Sequence, residues 1–156
     1  MPTGVYYGIH PRVPLNFVLE WLYLHVSEKH EYCGGQIINT LAPHSDSIGC
    51  VGFAPSDSLA AIGGFDEKLI IWDIEHSLSR GTCDHKGGVT CLAWLGASYV
   101  ATGCMDGNVR LWDSRSAECV RIFQGHSDII QSIEVSANHK YLVSSSLDGK
   151  ACVFEV

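Results

Sequence analysis

Three histidines, His44, His85 and His126, stand at equal intervals of 41 residues, and each opens the same succession of short segments. The first segment after each His is apolar: IGCVGF at 48–53, VTCLAW at 89–94 and IQSIEV at 130–135. Cys50, Cys91 and Ser132 coincide, each six residues after its His. A second apolar run follows at 59–62, 99–101 and 141–143, and then a turn carrying Asp66, Asp106 or Asp148. Asp106 and Asp148 are each followed by Gly, a pair that marks a hairpin because Gly accepts positive φ without a steric cost. A third run closes each copy as LIIWD at 69–73, VRLWD at 109–113 and ACVFE at 151–155. Fourth runs, CVRIF at 119–123 and the weaker LSRGTC at 78–83, lead into the next His. No stretch after residue 36 sustains a helical period. Short apolar runs bounded by turn residues predict an all-β chain, with each repeat a four-stranded antiparallel unit.

Trp72-Asp73, Trp112-Asp113 and the upstream pair Gly125-His126 fall at fixed offsets within these copies. On those residues the chain resembles the WD-repeat family over roughly residues 36–156. The resemblance implies a partial WD40 β-propeller, with repeats at 44–83, 85–123 and 126–156 inside a repeat region of 34–156. Closed propellers use about 4–8 blades, so three blades are expected to form an open arc rather than a ring. Residues 1–33 do not resemble the family. The run at 36–41 reads as the last strand of a preceding blade, while the third repeat stops after three strands. A chain that begins and ends inside a blade is expected to be a fragment of a larger ring. Otherwise it needs further blades or self-association to cover its open edges.

A His, a hydroxyl and an Asp invite a hydrolase reading of His85, Thr102 and Asp106. The set recurs, however, in part and at the same offsets. His126, Ser144, Asp148 and Phe154 form a third version, and His44, Ile62, Asp66 and Trp72 a first. A catalytic triad occurs once, and a structural device is copied with each repeat. The family resemblance implies that His85, Thr102, Asp106 and Trp112 make a hydrogen-bonded tetrad that ties the loop before the first strand to the Asp turn. By sequence only this second copy is complete, since Ile62 lacks a hydroxyl and Phe154 lacks the indole donor. The chain is therefore expected to be no enzyme, and the hydrolase is the alternative from another class.

Seven cysteines include no Cys-x-x-Cys pair and no His at zinc-ligand spacing. Neither a metal nor another cofactor is expected, and the odd count fits reduced thiols in the cytoplasm, with the nucleus as a second compartment. The pairs Gly34-Gly35, Gly63-Gly64 and Gly87-Gly88 punctuate strands; none opens a phosphate-binding helix. A formal charge of −7 opposes a phosphate backbone as partner and favours basic proteins. The apolar stretch at 13–26 is too short to span a bilayer and carries Glu20 and His25. A membrane-attached adaptor using that stretch is a third, disfavoured reading.

Before each turn Asp stands a large apolar residue: Phe65, Met105 and Leu147. In the family this position lies near one rim of the propeller. Turn residues are usually polar, so these three are candidates for a partner-binding patch, against the plainer reading that they pack beneath a neighbouring loop. The expected function is a protein–protein interaction scaffold. Analogy within the family adds one alternative, a chaperone or assembly factor for a basic ribosomal protein.

Overall fold

The computed structural model describes Ile37, residues 40–56 and residues 58–156. Contacts divide the chain into two units, Met1–Ala42 and Pro43–Val156, and every described strand lies in the second. The segment 1–33, its apolar stretch at 13–26 and most of the strand expected at 36–41 lie outside the described residues. Ile37, Thr40 and Leu41, the described positions of that run, carry no regular structure.

Among the described residues, eleven strands form three antiparallel sheets that follow chain order. The first holds β1 (Ile48–Phe53), β2 (Leu59–Gly64), β3 (Lys68–Asp73) and β4 (Leu78–Asp84). The second holds β5 (Val89–Leu95), β6 (Tyr99–Cys104), β7 (Val109–Asp113) and β8 (Cys119–Phe123). The third has only β9 (Ile130–Val135), β10 (Tyr141–Ser146) and β11 (Ala151–Glu155). These are the blades and the unclosed arc that the repeat implied. Their registers also repeat: Ile62 pairs with Ile70, Thr102 with Arg110, and Ser144 with Cys152. The innermost pairing of every blade breaks register near its start, at Ile48/Cys50, Val89/Cys91 and Ser145/Ser146. Such bulges bend a strand and raise its twist.

The second and third turns place Gly107 and Gly149 at φ 77°. The first turn has Glu67 at φ 66° in the matching place, and so carries the steric cost that Gly avoids.

Apolar burial is concentrated between blades. Ala61, Leu69, Ile71 and Cys83 of the first blade meet Val100 and Trp112 of the second, with Leu92 and Trp94 at the margin. Ala101, Val109, Leu111 and Phe123 of the second blade meet Ile130, Ile133 and Leu142 of the third. One face of each contact is small at its centre and the other is large. A Cβ on Gly63 would stand 2.6 Å from Val89 Cγ1, and one on Gly103 would stand 2.5 Å from Ile130 Cγ2. The blades also exchange hydrogen bonds where they approach: Trp94 Nε1 donates to the Gly52 carbonyl at 3.1 Å, and Thr90 Oγ1 bridges the Gly103 and Ile130 carbonyls.

Gly103→Ala forces a methyl into this contact. It should lower unfolding free energy by about 1–3 kcal/mol, read as a shift of the urea midpoint. Gly125→Ala, whose Cβ would lie 3.3 Å from Cys152 Sγ, is the matched control and should cost clearly less.

Candidate functional site

At one edge of each blade two loops meet. One enters the innermost strand, and the other joins the second strand to the third. In the first blade His44 Nδ1 pairs with Asp66 Oδ1 at 2.7 Å, and His44 Nε2 lies 3.1 Å from the Ile62 carbonyl oxygen. The Ser45 amide donates to Asp66 Oδ2 at 3.0 Å. The backbone carbonyl thus serves where the Ile62 side chain has no oxygen. In the third blade His126 Nδ1 pairs with Asp148 at 3.0 Å, His126 Nε2 with Ser144 Oγ at 2.8 Å, and the Ser127 amide donates to Asp148 Oδ2 at 3.0 Å. Phe154, in the indole position, packs on Phe123 with ring centroids 5.2 Å apart.

The second blade corrects the sequence reading. Three of its four tetrad members do meet: His85 Nε2 and Thr102 Oγ1 are 2.9 Å apart, and Trp112 Nε1 donates to Thr102 Oγ1 at 3.0 Å. Asp106 does not join them. Its carboxylate receives Arg110 Nη1 at 3.1 Å and Nη2 at 2.5 Å, and the Asn108 amide at 3.1 Å. His85 Nδ1 turns instead to the Cys83 carbonyl at 3.0 Å. The cause is the residue opposite Thr102 in β7. The other blades place Ile70 and Cys152 there; this one places Arg110, whose charged fork outcompetes an imidazole for a carboxylate. So the copy complete by composition lacks the His–Asp bond, and the two incomplete copies have it.

The electrostatics follow these partners. Burial lowers the His85 pKa to about 4, against a smaller opposing pull from the Cys83 carbonyl, so the ring is neutral near pH 7. Burial works to raise Asp106, but bonds from Arg110 and Asn108 overcome it and hold the carboxyl near 2. For Asp148 the desolvation is likewise outweighed, here by the Ser127 and Lys150 amides and by His126, and its pKa falls to about 2.

Ser144, His126 and Asp148 have the connectivity of a hydrolase triad. Ser144 is only 2 % exposed and Thr102 is fully buried, so neither hydroxyl presents an attacking oxygen to a substrate. Among the described residues no group of three or more His, Cys, Asp or Glu side chains is placed to hold a metal ion. The described cysteines, Cys50, Cys83, Cys91, Cys104, Cys119 and Cys152, are all free. Burial pushes the thiols of Cys83 and Cys104 up to about 12 and that of Cys91 to about 11, away from thiolate chemistry. No described helix is long and apolar enough to cross a membrane.

Phe65, Met105 and Leu147 occupy equivalent places on this rim. Their amides donate to the Ser47, Gly88 and Ile129 carbonyls at 2.8, 2.9 and 3.0 Å. Met105 is 44 % exposed and Leu147 54 %, whereas Phe65 is half-buried. Phe65 leans over the second blade: a Cβ on Gly88 would stand 2.9 Å from Phe65 Cδ1 and 3.0 Å from Met105 Sδ. Packing beneath a neighbouring loop therefore describes part of Phe65, while Met105 and Leu147 face solvent. Asp46, Glu67 and Asp128 are exposed on the same loops with Lys86 and Lys150, and Lys68 and Asp84 are exposed at the adjoining strand ends.

Three segments, residues 35–73, 77–113 and 117–155, match the family described as WD domain, G-beta repeat. Angio-associated migratory cell protein of Homo sapiens is 36% identical over 111 residues, which cover 70% of this chain and 26% of that protein. Ribosomal RNA-processing protein 9 of Saccharomyces cerevisiae is 30% identical over 135 residues, covering 83% of this chain and 22% of that protein. A crystal structure of RRP9 WD40 repeats superposes with a TM-score of 0.71 at 25% identity, covering 74% of this chain and 37% of that one. The chain thus spans about a quarter of the length of the curated relatives it matches.

Acid should unfold the chain in two stages. An exposed imidazole titrates near 6.5, about 2.5 units above the folded His85, so the unfolded chain binds the extra proton and stability falls between about pH 6.5 and 4. That group contributes up to about 3 kcal/mol to the loss. Below about pH 4, protonation of Asp106 and Asp148 continues the fall toward pH 2. His85→Gln should flatten the first stage and keep the second in urea titrations at stepped pH.

Proposed function

The chain belongs to the WD domain, G-beta repeat family, and on that premise we propose that it is a non-enzymatic scaffold that binds a partner protein through the rim carrying Phe65, Met105 and Leu147. WD-repeat proteins are of the protein-interaction scaffold type. The choice of rim rests on one observation: large apolar side chains at the turn positions of successive blades, two of them largely exposed and all three tied to the adjoining loop by the same backbone bond. Apolar groups ringed by charged ones are the usual form of a binding hot spot.

The likeness to angio-associated migratory cell protein supports a scaffold of that kind. A second reading, chaperone or assembly factor for a basic ribosomal protein, draws on the charge of −7 and on the likeness to a ribosomal RNA-processing protein. The same charge weighs against direct contact with a nucleic-acid backbone. Free thiols fit a reducing compartment, and we assign the protein to the cytoplasm, with the nucleus as second choice.

The triple variant Phe65→Ser, Met105→Ser, Leu147→Ser should lose its cross-linked partners in proximity proteomics while keeping the far-UV circular dichroism of the parent. An unchanged partner set would dismiss the rim. A basic ribosomal protein among the lost partners would select the second reading. An activity-based serine-hydrolase probe should leave the chain unlabelled, and labelling at Ser144 or Thr102 would revive catalysis.

A further inference from the structure

The three loops that enter the innermost strands open as His44-Ser45-Asp46, His85-Lys86-Gly87 and His126-Ser127-Asp128. In the first and third blades carboxylates saturate the amides of these loops. The amide after the His donates to the turn Asp, Ser45 to Asp66 Oδ2 and Ser127 to Asp148 Oδ2, both at 3.0 Å. Two residues on, the Ser47 amide donates to Asp46 at 2.6 Å and the Ile129 amide to Asp128 at 2.7 Å. The middle loop lacks both acceptors. Arg110 and Asn108 hold the Asp106 carboxylate, and Gly87 stands where the other loops have Asp46 and Asp128. Among the described residues no hydrogen bond reaches the Lys86 amide.

The loops differ in charge in the same sense. Between its His and its strand the middle loop carries an exposed lysine and no acid, whereas each of the others carries an exposed Asp and no base. Acids around the middle loop have basic partners. The Arg110 fork matches Asp106, and Lys68 in part offsets Glu67, its neighbour in sequence, and Asp84, its partner in register. Apolar surface adjoins the lysine. A Cβ on Gly87 would stand 3.6 Å from Met105 Cβ, and one on Gly88 would stand 2.9 Å from Phe65 Cδ1. One short loop thus brings together an ammonium, an unengaged amide and two large apolar side chains.

We propose that this loop receives an acidic side chain of a partner protein, an Asp or Glu set beside a bulky apolar residue. The partner's carboxylate plays the part that Asp66 and Asp148 play in the other blades. It accepts from the Lys86 amide and pairs with the Lys86 ammonium, while its apolar neighbour packs on Phe65 and Met105. Charge-assisted bonds beside an apolar cover that excludes water are the strong ones. Arg110 is a positioning residue here, because by holding Asp106 it keeps the loop amide open to another carboxylate. The inference rests on the rim proposed above and specifies the chemistry of its partner. The net charge of −7 governs how a partner approaches, and this loop selects the side chain that is seated.

Selection of random phage-displayed peptides on the full 156-residue chain tests this. Enriched peptides should share an Asp or Glu next to a Leu, Ile, Phe or Trp. Replacing that acid by its amide should weaken the best peptide about tenfold in fluorescence polarisation. Lys86→Glu should weaken it at least as much, and a peptide with Lys in place of the acid should bind Lys86→Glu better than the parent. Arg110→Ile installs the first blade's residue and releases Asp106 to the loop amide. It should weaken the acidic peptide several-fold while keeping the parental circular dichroism. Peptides that need Phe65 and Met105 but carry no acid, or that bind Lys86→Glu as well as the parent, would overturn this inference and leave the rim standing. Peptides indifferent to the triple Ser variant, or no enrichment at all, would remove the rim and this inference with it.

Discussion

Everything in this fold depends on a mismatch in side-chain size between the two faces of a blade. The face that looks forward along the chain is small at its centre: Gly52, Ala61 and Gly63 in the first blade, Ala93, Ala101 and Gly103 in the second. The face that looks back is large, with Leu92, Trp94, Val100 and Trp112 in the second blade and Ile133 and Leu142 in the third. Large side chains seat in the hollow left by small ones, and the glycines let inner strands approach so closely that a methyl would collide. Radial splay follows, because the inner strands carry the smallest side chains, or none, at the contact. The loops at the rim are carried by these strands, so their spacing is set by this packing before any polar bond is made.

The polar bonds then hold each pair of loops together, and they need not be the same in each blade. Two blades use a His–Asp pair reinforced by the amide of the residue after the His. The middle blade satisfies the same groups by another route, an Arg–Asp fork and a His turned to a backbone carbonyl. What is common is that the ring nitrogens and the indole of these networks each find a partner. That freedom explains how Ile62, Phe154 and Arg110 can each depart from the common pattern without changing the backbone register around them.

Local signals made the blades readable in the sequence: alternating apolar runs, Asp-Gly turns and a fixed spacing after each His require only neighbouring residues to interpret. The rewired second network was not readable in the same way. Arg110 stands where its counterparts are Ile70 and Cys152, and a charge inside an otherwise apolar run was the available signal. Its consequence depends on competition for Asp106 across a turn, which composition does not reveal. Cys50 and Cys91 share a position that the third copy fills with Ser, and they lie against Gly63 and Gly103 at the blade contacts.

Gly88 shows how one small residue can join separate loops into a surface. The Gly87-Gly88 pair reads in sequence as mere punctuation. Its counterparts before the other inner strands are Ser47 and Ile129. A side chain at 88 would strike both Phe65 and Met105, so its absence lets the first blade's Phe and the second blade's Met close over the same point. The amides of Phe65 and Met105 are meanwhile held by the neighbouring loop. A partner would thus meet an apolar surface already assembled across a blade boundary, with little ordering entropy left to lose. The packing that builds the arc and the rim proposed to meet a partner therefore rest on the same device, a glycine where a neighbouring blade needs room.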